Sequence, residues 1–261
     1  NIKHYSQAEL NICTFLKQNN IEFKTSERTI LYPQELDIYI SGKKVAIEYD
    51  GIHWHSELYK PNNYHLQKTL DCEKQGIQLI HIFEDEWIEK QEIVKARLLN
   101  LLGKNKWSIG ARKCKIKQVP VEEERKFLNN NHLQGYVAST VCYGLYWTNP
   151  KSNKEYIVAL MSFGPLRKNL GSSNQEGCYE LYRFVTAKNF SVPGGASRLF
   201  KHFIKKFSPK QVLSFADRRW SIKTEDKKNL YEQLGFQFDS YTEPGYFYVQ
   251  DMPGTGQWYW T

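Results

Sequence analysis

Glu9, Ile12, Cys13 and Leu16 stand at i, i+3, i+4 and i+7, which is one face of a helix, and the pattern predicts a helix over 5–19. The periodicity then changes from helical to alternating. Leu36, Ile38 and Ile40 alternate with Asp37 and Tyr39, and Val45, Ile47 and Tyr49 alternate with Ala46, Glu48 and Asp50. Two such runs around Ser41-Gly42-Lys43-Lys44 predict a β-hairpin. A helix is expected over 65–75, ended by Gly76, then a buried strand over 77–83 and a helix over 88–102. Glu84-Asp85-Glu86, between the last two, is expected to be a solvated strand end.

A basic connector, Gly103-Lys104-Asn105-Lys106 through Lys115, follows and is expected to separate two domains. The expected organisation is 1–105, a linker over 106–115, and 116–261. In the second part the pattern predicts helices over 121–131, 197–207 and 227–234. It predicts strands over 141–147, 155–163, 179–187 and 211–216, with a terminal β region from Phe236. Helices and strands interleave, so the fold class is α/β (α+β), with a mixed sheet and flanking helices expected in the first domain.

Composition narrows the functions. The 261 residues are 41% hydrophobic, enough for real cores, and no apolar run is long enough to span a bilayer. The opening Asn1-Ile2-Lys3-His4 has no apolar leader, so no signal peptide is expected. Cys13, Cys72, Cys114, Cys142 and Cys178 are scattered and odd in number, with no C-x-x-C pair. Neither a disulfide framework nor a zinc site is indicated, and a reduced, cytoplasmic setting is expected. Formal net charge is +8, unevenly spread. Residues 1–105 carry 13 Lys and Arg against 15 Asp and Glu, and residues 106–261 carry 23 against 13. That asymmetry suggests that the second part holds a polyanion while the first does something else.

The first part has the residues for phosphodiester hydrolysis. Such chemistry needs a divalent cation on the phosphate and a base for water. Alternation puts Asp37, Glu48 and Asp50 on one side of the hairpin, with Asp37 and Glu48 on adjacent strands eleven residues apart. Mg²⁺ takes oxygen ligands of this kind, and Mn²⁺ can share them. This is the pattern of the PD-(D/E)XK nuclease core, except that Asp50 stands where that core has lysine. The string Glu48-Tyr49-Asp50-Gly51-Ile52-His53-Trp54-His55, followed by the Glu73 to Phe83 block, resembles the very-short-patch-repair endonucleases. More closely, residues 5–102 resemble the EDxHD homing endonucleases of phages.

The resemblance implies a double-stranded DNA endonuclease acting in a phage-infected or prophage-bearing bacterium. It implies Asp37 as central metal ligand, Glu48 as its partner, and the Tyr49 carbonyl as a further oxygen. Glu9 matches the family's helical acid, and Asp50 and His55 match its remaining Asp and His. His55 is the candidate for positioning or deprotonating water, since imidazole titrates near neutral pH. Lys68 is a candidate to replace the missing lysine. His53, His65 and His81 are read as structural. One centre per chain means that a double-strand cut requires a homodimer or sequential nicks.

In the second part, Val192-Pro193-Gly194-Gly195-Ala196-Ser197 opens a helix, the form of a backbone cradle for a phosphate or pyrophosphate. With Asn229 to Phe236 it resembles the GNAT acyltransferase fold over about 120–250, and phage DNA-modification proteins of the Mom type. In that resemblance Gly194, Gly195 and Ala196 would hold acyl-CoA, and Tyr231 would be the general acid. Ser191 departs from the family's Gln or Arg. Basic side chains also interleave here with aromatics, as phosphate contact and base or sugar packing require. Arg112, Lys113, Arg183, Arg198, Lys201, Arg218 and Arg219 are the expected DNA contacts. A GNAT-like scaffold that binds DNA is the favoured reading, and an acyl-CoA-dependent DNA-modifying transferase the alternative.

Overall fold

The structure is a computed structural model and describes residues 6–51, 64–167, 175–221 and 228–242, with the backbone alone of 249–251 and 258–260. The chain is mixed α/β and divides into two compact units. The first is Asn1–Gln91 with Arg218–Lys228 and Gln237–Thr261, and the second is Glu92–Asp217 with Asn229–Phe236. The division falls at Gln91, ahead of the basic connector, and two late stretches of chain return to the first unit. Hydropathy gives no sign of that return, because 218–221 is held by polar contacts rather than by an apolar stripe.

In the first unit, α1 (Gln7–Gln18) begins at a capping box. The Ser6 hydroxyl accepts from the Glu9 N–H at 3.1 Å, and the Glu9 carboxylate accepts from the Ser6 N–H at 3.3 Å. After β1 (Lys24–Glu27), β2 (Leu36–Ile40) and β3 (Val45–Asp50) form the expected antiparallel hairpin, with Ile38 opposite Ile47. Its turn is a 3₁₀ turn closed by Lys44 in the left-handed region, φ 50°, rather than by Gly42. Then α2 (Tyr64–Lys74) leads to β4 (Gln78–Phe83), which pairs parallel with β3. Parallel neighbours need a crossover, and α2 lies within it. The sheet order is β1-β2-β3-β4.

The helix expected over 88–102 is two helices, α3 (Glu84–Glu89) and α4 (Gln91–Leu101), parted at Lys90. Glu84, Asp85 and Glu86 form the first turn of α3, where the helix dipole favours acids, instead of a strand end.

The second unit takes α4 from Glu92. It continues with β5 (Trp107–Ser108), β6 (Lys115–Gln118), α5 (Val121–Asn131), β7 (Val141–Thr148), β8 (Glu155–Gly164) and β9 (Cys178–Thr186). Next come β10 (Phe190–Ser191), α6 (Gly195–Phe207), β11 (Gln211–Ser214) and the short α7 (Leu230–Leu234). The main sheet runs β11-β9-β8-β7-β6, antiparallel except for the β9–β11 pair. Phe203 of α6 stacks on Phe163, ring centroids 3.6 Å apart, in a core with Leu145, Met161, Leu181 and Leu199. On a second cluster Leu128 of α5 packs with Cys142, Leu160 and Val185.

Candidate active site

Backbone pairing of β2 with β3 joins Asp37 to Glu48 in a reciprocal clasp. The Asp37 N–H donates to Glu48 Oε1 at 3.0 Å, and the Tyr49 N–H donates to Asp37 Oδ2 at 3.3 Å. Each carboxylate is thus fixed by the other's strand. Glu48 is only 4% exposed and Lys68, which donates to Glu48 Oε2, only 3%. Lys68 comes from α2, where His65, Lys68, Thr69 and Cys72 fall at i, i+3, i+4 and i+7. That stripe is the helix's sheet-facing side, and most of it is polar.

Electrostatics leave both carboxyls of the pair raised despite Lys68. Burial first, then repulsion by Glu48, lifts the Asp37 carboxyl from 3.8 to about 7, and Glu9 adds to the rise. Lys68 and the Tyr49 N–H oppose it without prevailing. Burial also holds the Glu48 carboxyl above its ordinary value, against the opposing pull of Lys68. Burial alone would lower the Lys68 ammonium, but Glu48 outweighs it and raises it.

Asp50 lies one same-face step beyond Glu48 along β3, and it meets other partners. His81 Nδ1 is 2.7 Å from Asp50 Oδ2, and His65 Nδ1 is 3.5 Å from Oδ1. The structure therefore brings Asp37 and Glu48 together, with Glu9 in electrostatic reach, and gives Asp50 to two imidazoles. His53 and His55 lie outside the described residues. The chain's pattern held two signals that the acid spacing alone does not use. Ser6-x-x-Glu9 is a capping-box string, and α2's buried stripe contains His65 and Lys68.

The basic residues of the expected DNA surface divide by burial and partner. Arg112, Lys113 and Lys201 are exposed. The half-buried Arg183 donates to the carbonyls of Gly135 and Tyr182. Arg198 turns inward onto the carbonyls of Ala111 and Cys114. Arg218 and Arg219 belong to the first unit, where they pair with Glu73 and Glu86, and Arg219 also donates to the His81 carbonyl.

The Gly194–Ala196 turn starts α6 as expected, with Gly194 left-handed at φ 77°. Its approach is already hydrogen-bonded by the connector: Ile109 N–H donates to the Ser191 carbonyl and Ala111 N–H to the Pro193 carbonyl. Tyr231 is half-buried at α7 beside Ser214, and burial raises its hydroxyl pKa.

No protein-family model matches the chain. No curated protein matches it either. Among solved structures, the catalytic domain of the homing endonuclease I-Bth0305I is 22% identical, with 38% of this chain and 96% of that one aligned at a TM-score of 0.32. A GNAT-family acetyltransferase, SP0256 from Streptococcus pneumoniae TIGR4, is 16% identical over 48% of this chain and 87% of that one, also at 0.32.

Proposed function

We propose that the chain is a metal-dependent DNA endonuclease of the EDxHD homing type, hydrolysing phosphodiester bonds of duplex DNA at Asp37 and Glu48. The observation that carries this reading is the carboxylate clasp itself, whose Asp37 carboxyl is lifted to about 7. A protein that only binds a polyanion gains nothing from buried acids repelling one another. A hard dication relieves that repulsion, and two carboxylates from adjacent strands fit Mg²⁺ or Mn²⁺. Held by Asp37 and Glu48, such an ion would supply positive charge for the scissile phosphate and for activation of water.

The chain's own groups supply the rest. Lys68 holds Glu48 in place and brings the positive charge that the core lysine provides in related sites. Glu9 adds negative potential from α1 and fixes the start of that helix. The resemblance assigns water positioning to His55. Divided at the observed unit boundary, the first unit carries 15 Lys and Arg against 19 Asp and Glu, and the second 21 against 9. A unit of net +12 supplies sequence-independent affinity for duplex DNA. Arg112, Lys113 and Lys201 are its exposed phosphate contacts, and the cut ends identify the target.

The test is a cleavage screen on genomic DNA in Mg²⁺ with the ends sequenced. Nicks or breaks at recurrent sites are expected from the wild type, and random or absent cutting contradicts the reading. The second reading, an acyl-CoA-dependent transferase acting on DNA, draws on the β9–β11 pair. Their pairing ends with Leu181 opposite Ser214, where β11 itself ends, and Tyr231 lies beside Ser214. The Gly195 N–H already donates to the Val192 carbonyl at 2.9 Å, which removes one donor from the phosphate cradle and weighs against it. Calorimetry with acetyl-CoA is expected to show no binding, and tight binding lost in Tyr231→Phe would favour the transferase.

A further inference from the structure

The polar stripe of α2 has a second part that the carboxylate clasp does not use. His81 Nδ1 faces Asp50 Oδ2 at 2.7 Å, and His81 Nε2 faces Thr69 Oγ1 at 3.0 Å. Thr69 has one hydroxyl hydrogen, and the His65 carbonyl accepts it at 2.8 Å, the back-bond of a helical threonine to the preceding turn. Thr69 therefore accepts from His81, so Nε2 carries a hydrogen. Nδ1 would then point a lone pair at a buried carboxylate oxygen unless a positive species stands between them. That species is either a proton, on the ring or on the carboxyl, or a metal ion.

His65 brings a third metal-ligating side chain to the same place. Its Nδ1 stands 3.5 Å from the other Asp50 oxygen, beyond good hydrogen-bond length. All three ligand atoms lie within 4.8 Å of one another. A tetrahedral zinc with bonds of about 2.0–2.1 Å spaces its ligands roughly 3.4 Å apart. His81 lies inside that spacing, 2.7 Å from Asp50 Oδ2, and the part-exposed His65 lies close to it, 3.5 Å from Asp50 Oδ1.

We propose that Asp50, His65 and His81 form a transition-metal site for Zn²⁺, separate in chemistry from the Asp37–Glu48 site. Two imidazole nitrogens and one carboxylate oxygen suit Zn²⁺, whereas Mg²⁺ takes oxygen alone. Metal-bound histidine normally donates its other ring hydrogen to a fixed acceptor, and Thr69 is in place to receive it from His81. The Asp50 and His81 side chains are 2% and 5% exposed, while His65 at 31% leaves an entry path from solvent. The ion would tie β3, β4 and α2 together, one same-face step, roughly 7 Å, along the strand from Glu48. This inference goes beyond the proposed nuclease and does not depend on it.

The experiment uses metal-stripped full-length protein titrated with Zn²⁺ alone, followed by calorimetry and thermal melting. One equivalent is expected to bind and raise the melting midpoint in both wild type and Asp37→Asn. His65→Ala should lose that binding, and Thr69→Val, which keeps every ligand, should weaken it about 10–100-fold. Co²⁺ in the same site should give the intense visible bands of four-coordinate cobalt, absent in His65→Ala. Zn²⁺ binding that ignores both His65→Ala and Thr69→Val would overturn the proposal, as would no binding by the wild type. A proton, on the His81 ring or on the Asp50 carboxyl, would then be what joins the two. A failed nuclease reading shows instead as absent DNA cleavage with Zn²⁺ binding intact.

Discussion

Asp37 is the residue on which function and stability pull apart. Its folded carboxyl is raised from 3.8 to about 7, so the native state keeps a proton that the unfolded chain releases. The contribution of Asp37 to stability is therefore fully present below about pH 4 and is lost as pH rises toward 7, by roughly 4 kcal/mol at most. Urea denaturation of metal-free protein should show wild type losing stability across that window, with a shallower loss in Asp37→Asn, where the buried Glu48 carboxyl is still held up. Equal slopes would mean that the carboxyl is not held up. Alternation and spacing in the sequence were enough to pair Asp37 with Glu48, because a hairpin register fixes which side chains share a face. They could not separate Asp50 from that pair. Sharing a face does not name the neighbour, and the neighbours here come from α2 and β4.

Among the elements, α2 departs furthest from ordinary patterning. Its buried face carries Lys68 and Thr69 where a core helix would carry leucines. A buried lysine makes sense only with its acid, and the acid lies 20 residues earlier on another element. Lys68→Met should leave Glu48 buried without its cation and cost about 3–5 kcal/mol. In Lys68→Met with Glu48→Gln, thermal denaturation should show a smaller loss than in the single variant. The 218–221 segment is a second such element. Arg219 forks onto Glu86 at 2.9 Å twice, reaches the His81 carbonyl at 2.8 Å and covers the Phe83 ring. Arg219→Ala should destabilise the first unit by roughly 2–4 kcal/mol and leave the salt dependence of DNA binding alone. A reduced salt slope would place Arg219 on DNA instead. The basic-aromatic interleaving of the sequence drew Arg218 and Arg219 toward a DNA surface. Nothing local in 218–220 shows that their partners are Glu73 and Glu86, more than 130 residues earlier.

At the scale of the whole molecule, two units carry opposite charge. The sequence showed the trend, but the returning segments sharpen it to a net of −4 beside +12. Duplex affinity should fall linearly with salt on logarithmic axes, and Arg112→Ala or Lys113→Ala should each reduce the slope by about one phosphate contact. Arg198→Ala should leave the slope unchanged, since its guanidinium bonds Ala111 and Cys114 carbonyls. The central claim remains that Asp37 and Glu48 hold the ion that cuts DNA. Its most direct test is the single-turnover cleavage rate on a mapped duplex site in Mg²⁺, for wild type, Asp37→Asn and Glu48→Gln. Loss of metal stabilisation worth several kcal/mol predicts a rate drop of about a thousandfold or more in each variant, with folding intact. Cleavage at near wild-type rate in either folded variant would contradict the account.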